Sequence, residues 1–169
     1  MHKFSKYLFI ALFFLISANA QAGAFFGVGG SLMSYEEPGL KVEPINALLR
    51  GGYAFNDYVE LGGEFNFTLL PDSEIGADWD VDTTFLFLKL NLPLGDTARA
   101  YVMVGPTDVE VSATVGFFQI IADDTDTGTG FGIQFDNAAG ATWALDFITY
   151  YDDLGAEFSS VNLSFIGYF

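Results

Sequence analysis

Carboxylates are the side chains of this 169-residue sequence with the greatest capacity for chemistry, since Asp and Glu number 22 against 6 Lys and Arg. Two acidic groups have a spacing that would present several oxygens to one cation, and calcium prefers oxygen ligands. These groups are Asp78, Asp80 and Asp82, which alternate onto one face of an extended chain, and Asp123, Asp124 and Asp126. Charge runs more often keep a surface solvated. The sequence therefore predicts solvated acidic segments and no resident metal or other cofactor.

Catalysis that depends on imidazole or thiol has few residues to use. The only histidine is His2, and the sequence has no cysteine. A serine or aspartate nucleophile needs a neighbouring base to activate it, and His2 lies in an N-terminal segment that is predicted to be removed. The sequence therefore predicts that the protein is not an enzyme. It also excludes a disulfide framework and a thiolate metal site.

Further charged residues lie on the polar side of segments in which polar and apolar residues alternate. They are Arg50, Glu60, Glu64, Lys89 and Asp146. Charges inside a folded protein need partners to stay ionised, and two basic residues among three acidic ones allow such pairing. The pattern predicts a network of paired charges that fills the interior of a β-structure. A water path lined by the same residues is the alternative.

The segment 59–69 shows the clearest alternation, because apolar residues such as Leu61 and Phe65 are interleaved with Glu60 and Glu64. A period of two residues predicts a strand with two unlike faces. A tight connection at 56–58 would join this strand to the one before it and fix the register between them. In that register Arg50 lies directly opposite Glu64 on the polar face.

Alternation extends along most of the chain and predicts eight strands, at residues 24–35, 45–55, 59–69, 81–92, 99–109, 128–136, 141–151 and 161–169. Residues 70–80 and 123–126 are predicted loops, and residues 110–121 either extend the fifth strand or form a hairpin. Tyr151 is predicted to face outward. The last strand is too apolar to remain a free edge. We expect it to close a barrel by antiparallel pairing with the first strand.

Composition bears on which face of the strands is apolar. Hydrophobic residues make up 51% of the chain, and a transmembrane β-barrel turns such residues to lipid and its polar residues to the lumen. A lipocalin-like carrier has the reverse arrangement. Aromatic residues at the predicted strand ends favour the membrane barrel. We predict an all-β, eight-stranded, antiparallel up-and-down transmembrane β-barrel, with a secreted lipocalin-like carrier as an alternative.

The N-terminal segment has the pattern of a secretory signal peptide. Lys3 and Lys6 precede an apolar run at 7–17, and small residues follow at 18–22. Such a run is shorter than a membrane-spanning helix and ends in a cleavage pattern. We predict that residues 1–22 are removed and that residues 23–169 form one barrel domain. That domain keeps four basic and 22 acidic residues, a net charge of −18, which makes nucleic acid an improbable partner.

Several motifs resemble those of the small eight-stranded outer-membrane proteins of Gram-negative bacteria, the OmpA/OmpX-type barrels. The motifs lie at residues 27–30, 52–65, 130–135 and 163–169. The resemblance implies location in the bacterial outer membrane as a monomer, in contact with outer-membrane lipid and lipopolysaccharide. It also implies assembly through periplasmic chaperones and the barrel-assembly machinery. That machinery would read a C-terminal signal formed by Val161, Leu163, Phe165 and Phe169.

Some small outer-membrane barrels of this kind are enzymes, such as lipid A deacylases and palmitoyltransferases, but these use a histidine for catalysis. We therefore predict a structural role in envelope integrity or a role in surface interaction. The predicted protein has acidic external loops and a lumen closed by polar side chains. A narrow pore for ions or small solutes is an alternative function, as is the lipocalin-like carrier. Divalent cations that bridge the acidic loops to lipopolysaccharide phosphates also remain an option.

Overall fold

A computed structural model describes residues 23–137, 141–153 and 156–169, and the predicted signal peptide lies outside these ranges. The described chain forms eight long strands: β1 Gly23–Glu37, β2 Ile45–Asn56, β3 Val59–Leu70, β4 Ala77–Pro93, β5 Ala98–Val115, β6 Phe118–Asp136, β7 Ala141–Asp153 and β8 Ala156–Tyr168. Two short strands, Leu40–Val42 and Asp72–Glu74, pair with the outer parts of β1 and β4. Within the described ranges, no helix is long and apolar enough to cross a membrane.

The strands form a closed antiparallel barrel in which each strand pairs with the next one along the chain. The last strand pairs with the first from Phe25 opposite Tyr168 to Glu36 opposite Glu157. Beyond this ladder the Phe169 backbone N–H donates to the carbonyl oxygen of Ala24 at 2.8 Å. Closure leaves no long strand with an unpaired edge. The predicted fold class and the predicted pairing of the two terminal strands are confirmed.

The two faces of the barrel wall are chemically opposite. Outward positions carry exposed apolar side chains, including Leu88, Leu90 and Leu92 of β4, whereas Lys89 and Asn91 between them are buried. This is the arrangement of a barrel in lipid, because the apolar residues face outward and the polar ones face the lumen. A lipocalin-like carrier requires an apolar interior and a polar exterior. The carrier alternative is therefore wrong.

The predicted register between the second and third strands is confirmed, since Arg50 lies opposite Glu64 and Tyr53 opposite Leu61. On the inner faces of these strands, aromatic rings pack directly over Gly52 and Gly62. A Cβ atom added to Gly62 would lie 2.7 Å from Cζ of Phe87 and 2.9 Å from Cζ of Phe25. Because Gly62 has no side chain, the Phe25 and Phe87 rings fit inside the narrow barrel.

Both predicted acidic loops are wrong, because strands continue through them. Residues 70–80 form a hairpin in which Asp72–Glu74 pairs with 77–79 around a turn at Ile75 and Gly76, both with positive φ. Residues 123–126 lie in the middle of β6, paired with β5. Thr and Val residues of high strand propensity flank these carboxylates, and the charges that face outward remain solvated. The charges therefore do not interrupt the ladder.

The predicted outward direction of Tyr151 is also wrong. The pairing of β7 with β8 shifts at Phe158, where Tyr151 lies opposite Phe158 but Thr149 lies opposite Ser159. Tyr150 is thus an extra residue on β7, and such a bulge resets the alternation of side chains. As a result Tyr151 packs against Phe158, with ring centroids 6.2 Å apart, and lies against the interior core.

The two ends of the barrel differ in the length of their strand connections. At one end, here called the turn end, short connections such as that at Asp57 and Tyr58 lie beside the Phe169 terminus. At the other, the hairpin end, β5 and β6 run on together to a turn at Gly116 and Phe117. Both interpretations of residues 110–121 therefore hold, because these residues extend the fifth strand and also form a hairpin together with β6.

Candidate functional site

The first charge cluster inside the barrel is centred on Arg50. Even-numbered positions of β2, β3 and β7 face inward, which brings Arg50, Glu64 and Asp146 together. The Arg50 guanidinium donates from Nε to Glu64 Oε2 at 2.9 Å and from Nη2 to the same oxygen. It also donates from Nη1 and Nη2 to the two Asp146 oxygens, at 3.0 and 3.1 Å. One cation therefore binds two carboxylates, and the cluster has a net negative charge.

Neutral donors stabilise the surplus carboxylate. Tyr150 donates its hydroxyl to Glu64 Oε1 at 2.8 Å, and Asn66 donates to the same oxygen at 2.9 Å. Tyr101 donates to Asp146 Oδ2 at 2.7 Å, and Asn162 Nδ2 donates to Asp146 Oδ1 at 3.0 Å. Hydrogen bonds to an ionised group are stronger than those between neutral groups. The excess charge is therefore distributed over several short bonds.

The second cluster is centred on Lys89, one layer closer to the turn end. Lys89 Nζ contacts Glu60 Oε2 at 3.2 Å and donates to Gln134 Oε1 at 2.6 Å. The other Glu60 oxygen accepts from Asn91 at 2.8 Å and from Tyr168 at 3.2 Å. The structure therefore brings all five predicted interior residues into two adjacent clusters. Each of the five is almost fully buried.

Aromatic rings connect the two clusters. Lys89 Nζ lies 4.3 Å from the centroid of the Tyr101 ring, whose hydroxyl donates to Asp146. Arg50 Cζ lies 5.8 Å from the centroid of the Phe87 ring. A cation over an aromatic face is attracted by the ring quadrupole, and the attraction grows when water is excluded. Tyr101 therefore contacts the cation of one cluster and the carboxylate of the other.

Sequence reasoning misses Tyr101 and Tyr150 of this network. Tyr101 lies in the fifth strand, where both faces are apolar near residues 101–104, so alternation assigns it no direction. The register of the β4–β5 hairpin would have revealed it, because Tyr101 pairs with the inward-facing Asn91. Tyr150 follows Asp146 at an interval of four residues on β7. Simple alternation would therefore have placed its side chain inside.

A cavity lies at each end of the barrel. The one at the turn end has a volume of about 610 Å³ and is lined by polar residues that include Glu60, Arg99 and Asp136. Arg99 Nη2 donates to both Asp136 oxygens, at 2.6 and 2.9 Å. The cavity at the hairpin end has a volume of about 350 Å³ and has mainly apolar and aromatic walls. The two charge clusters lie between these cavities.

The first acidic group suspected of cation binding is held by local contacts. Asp78 accepts from the Ser73 hydroxyl at 2.6 Å, and Asp82 accepts from the Thr68 backbone N–H at 2.8 Å. Burial raises the pKa of Asp80, and the negative charges of Asp82 and Asp78 add to this increase. Among the residues that the structure describes, no group of three or more acidic side chains is arranged to hold a metal ion.

The residues of the predicted C-terminal assembly signal lie on the outer face. Val161, Leu163 and Phe165 are exposed in alternation along β8, and Phe169 follows the strand with 82% of its surface exposed. The residues between them, such as Asn162 and Ser164, face the interior. An apolar stripe on a terminal strand is accessible to a receptor before the barrel closes. Whether a receptor reads it stays a prediction.

A known protein family matches nearly the whole chain. The family described as the outer membrane protein beta-barrel domain matches residues 8–168. The chain belongs to this family. It is thus an outer-membrane β-barrel protein. Since such barrels have short periplasmic turns and longer external loops, we expect the hairpin end to be external and call it the external end. No curated protein matches the chain in sequence.

Solved structures of small outer-membrane barrels have a similar fold. Neisserial surface protein A shares 9% identity, with a TM-score of 0.76 over 88% of this chain and 99% of that one. The attachment invasion locus protein Ail of Yersinia pestis, in complex with the heparin analogue sucrose octasulfate, shares 17% identity, with a TM-score of 0.67 over 87% and 97%. The N-terminal barrel of Pseudomonas aeruginosa OprF shares 15% identity, with a TM-score of 0.53 over 83% and 96%.

Proposed function

We propose that this protein is a non-catalytic outer-membrane barrel whose lumen is closed and whose external end acts in surface interaction or envelope integrity. The observation that carries the closed lumen is the Arg50 cluster. Glu64 on β3 and Asp146 on β7 extend from opposite walls of the barrel, and Arg50 binds both of them. An eight-stranded barrel has an interior just wide enough for side chains to fill. Paired charges across that interior leave little room for solutes.

Conductance in planar lipid bilayers tests the closed lumen. We expect the wild-type protein to give no steady large conductance. The Arg50→Ala, Glu64→Ala, Asp146→Ala triple variant, which removes the bridge between the walls, should conduct. Tyr53→Ala on the outer face is the matched control and should stay closed. Steady conductance of the folded wild-type protein would instead establish the narrow pore and would reject the closed lumen.

The proposed role of the external end rests on the β5–β6 hairpin. Beyond the lipid-facing residues Val104 and Phe131, this hairpin carries solvent-facing carboxylates, among them Asp108, Glu110 and Asp123. It ends in exposed apolar residues, with Phe117 fully exposed. Isolated apolar residues need no explanation on a surface, but a contiguous exposed group at the end of a long hairpin is typical of a contact site.

A shortened hairpin tests this role without opening the barrel. Glu110 pairs with Asp123, so residues 110–123 can be replaced by a two-residue Asn-Gly turn that suits a β-hairpin. We expect the full chain to raise the resistance of a deletion strain to bile salts, an envelope stress, and the shortened protein should fail to do so. Equal resistance with both proteins would show that the hairpin has no such role. Heat-dependent gel mobility would confirm that the shortened barrel folds.

A sulfated ligand like the heparin analogue of the Ail complex is not proposed for this chain. The predicted mature chain has a net charge of −18, and the outer hairpin is lined with carboxylates. Like charges repel a polysulfate and slow its approach. Partners with basic patches fit this surface better. Divalent cations would be needed to join it to the phosphates of lipopolysaccharide.

The remaining proposals concern the membrane and assembly. The outward apolar belt fits contact with outer-membrane lipid, and a closed barrel with no free edge fits a monomer. The pattern of residues 1–22 supports delivery by a cleaved signal peptide, and membership of the family supports assembly through periplasmic chaperones and the barrel-assembly machinery. These steps belong to our proposal for how the protein reaches the outer membrane.

A further inference from the structure

The cavity at the external end is a separate feature from the closed lumen. It is lined by residues of β1 and of β4 to β8 above the charge clusters, and its volume is about 350 Å³. Val109, Val111 and Ala122 form an aliphatic wall, and Tyr35, Phe158 and Trp79 contribute rings. Concave sites of about 300 Å³ or more with mainly apolar walls are the usual form of a small-molecule pocket.

Aromatic faces dominate one side of this external pocket. The rings of Tyr35 and Phe158 are stacked with centroids 4.2 Å apart, and Tyr151 meets Phe158 edge to face at 6.2 Å. The Tyr35 hydroxyl donates to Glu37 at 2.6 Å, which fixes the ring in place. Grouped aromatic faces attract a cation, and quaternary ammonium groups are recognised in this way.

Carboxylates determine the sign of charge that the external pocket accepts. Asp124 lies on the same strand face as Ala122 and lines the pocket at an exposed position, whereas the neighbouring Asp123 lies opposite Glu110 on the outer face. Among its described lining residues none is basic, and Lys41 of the neighbouring short strand is paired with Glu36 and Glu43. A fatty acid or another anion would meet these carboxylates without a compensating cation. A positively charged group gains both their attraction and that of the rings.

We propose that the external pocket binds an organic cation with a compact apolar body, such as a quaternary ammonium that carries one aromatic ring. The apolar body fits between the aliphatic wall and the aromatic rings. The cation lies toward Asp124. This proposal goes beyond the closed lumen, because the pocket lies on the external side of the charge clusters and needs no passage through them.

The two tryptophans of the chain provide a direct test. Trp79 lines the external pocket, whereas Trp143 lies on the outer face of β7 near the turn end. In a Trp143→Phe protein, Trp79 is the single fluorescent reporter. With the protein in lipid nanodiscs, benzyltrimethylammonium should change the Trp79 emission and saturate. The neutral isostere neopentylbenzene should bind about tenfold more weakly, which is about 1.4 kcal/mol, and benzenesulfonate should not bind.

Variants separate pocket binding from partition into lipid. Ala122→Phe fills the external pocket and should abolish the saturable response. Asp124→Asn should weaken benzyltrimethylammonium about tenfold and leave neopentylbenzene unchanged. Asp57→Asn in the periplasmic turn is the matched charge control and should change neither. A response that persists in Ala122→Phe, or equal binding of the charged and neutral probes, would overturn the proposal. Heat-dependent gel mobility establishes that each variant is folded.

Discussion

At the scale of single residues, the stability of the barrel interior depends on whether each buried charge has a partner. Arg50 compensates both Glu64 and Asp146, and all three side chains are about 1% exposed or less. Removal of one partner from a buried ion pair costs more than removal of the whole group, because the remaining charge stays desolvated. The energetic role of Arg50 is therefore to offset the burial of two carboxylates inside a membrane barrel.

Replacement of Arg50 should expose this dependence. Arg50→Met keeps much of the volume of the side chain but removes the cation, and we expect the free energy of unfolding to fall by about 3–5 kcal/mol. The Arg50→Met, Glu64→Gln, Asp146→Asn triple variant carries no uncompensated charge and should recover most of that loss. Urea titration in lipid vesicles, followed by tryptophan fluorescence, measures both. A single variant as stable as the triple would contradict the assignment.

Phe169 differs from these interior residues, because its side chain contributes little packing to the folded barrel. Its side chain is 82% exposed, and its backbone N–H makes one hydrogen bond to Ala24. Deletion of Phe169 should therefore reduce insertion in cells several-fold and shift the urea midpoint of the assembled barrel only slightly. Pulse labelling measures insertion, and unfolding of the purified protein measures stability. Equal effects on both would show that Phe169 acts through packing alone.

Residue-level prediction succeeds where a charge marks the inner face and fails where an aromatic residue is ambiguous. Arg50 and Glu64 can be paired from sequence because alternation on both strands leaves one consistent register. Tyr101 gives no such signal, since both faces of its strand are apolar and a tyrosine fits a lipid interface or a polar interior equally well. Alternation from Asp146 places Tyr150 inside, but its hydrogen bond to Glu64, like that of Tyr101 to Asp146, forms only in the closed barrel.

At the scale of strands, alternation identifies the lipid-facing segments but not where they end. Outside the membrane, the outer face of the β5–β6 hairpin carries exposed carboxylates such as Asp108 and Glu110, whereas Val109 and Val111 face the interior. The lipid-facing apolar stripe therefore ends there although the strand continues. The carboxylates at 123–126 imitate a loop for this reason. Their strand is maintained by continuous backbone pairing of all 18 residues of β5 with β6. Tyr151 could not be placed for a related reason, because nothing local marks the bulge.

Gly62 of β3 tests the packing of the inner wall. A Cβ atom there would approach the Phe87 and Phe25 rings and the Gly51 carbonyl oxygen to 2.7–2.9 Å. Gly62→Ala should therefore cost about 1–3 kcal/mol through overpacking. Gly51→Ala is the control, because its added Cβ has no neighbour closer than 3.5 Å. Urea unfolding of both proteins measures the difference, and equal losses would mean that strand propensity alone is responsible.

At the scale of the whole molecule, charge and length are distributed unequally along the barrel axis. The longest hairpin and the acidic groups at 78–82 and 123–126 lie at one end. Both termini of the described chain lie at the other end, where Phe169 bonds to Ala24. Long polar hairpins cross an apolar bilayer less readily than short turns do, since their polar groups lose solvation. The molecule should therefore have one orientation.

Single cysteines measure this orientation directly, because the native sequence has none. Phe117→Cys places a thiol at the exposed hairpin turn, and Asp57→Cys places one in a short turn at the opposite end. In intact cells a membrane-impermeant maleimide should label the cysteine at 117 and not the one at 57. Both should react once the outer membrane is permeabilised, which controls for burial. Labelling at 57 alone would show that the barrel has the opposite orientation, with the acidic hairpin and the external pocket facing the periplasm.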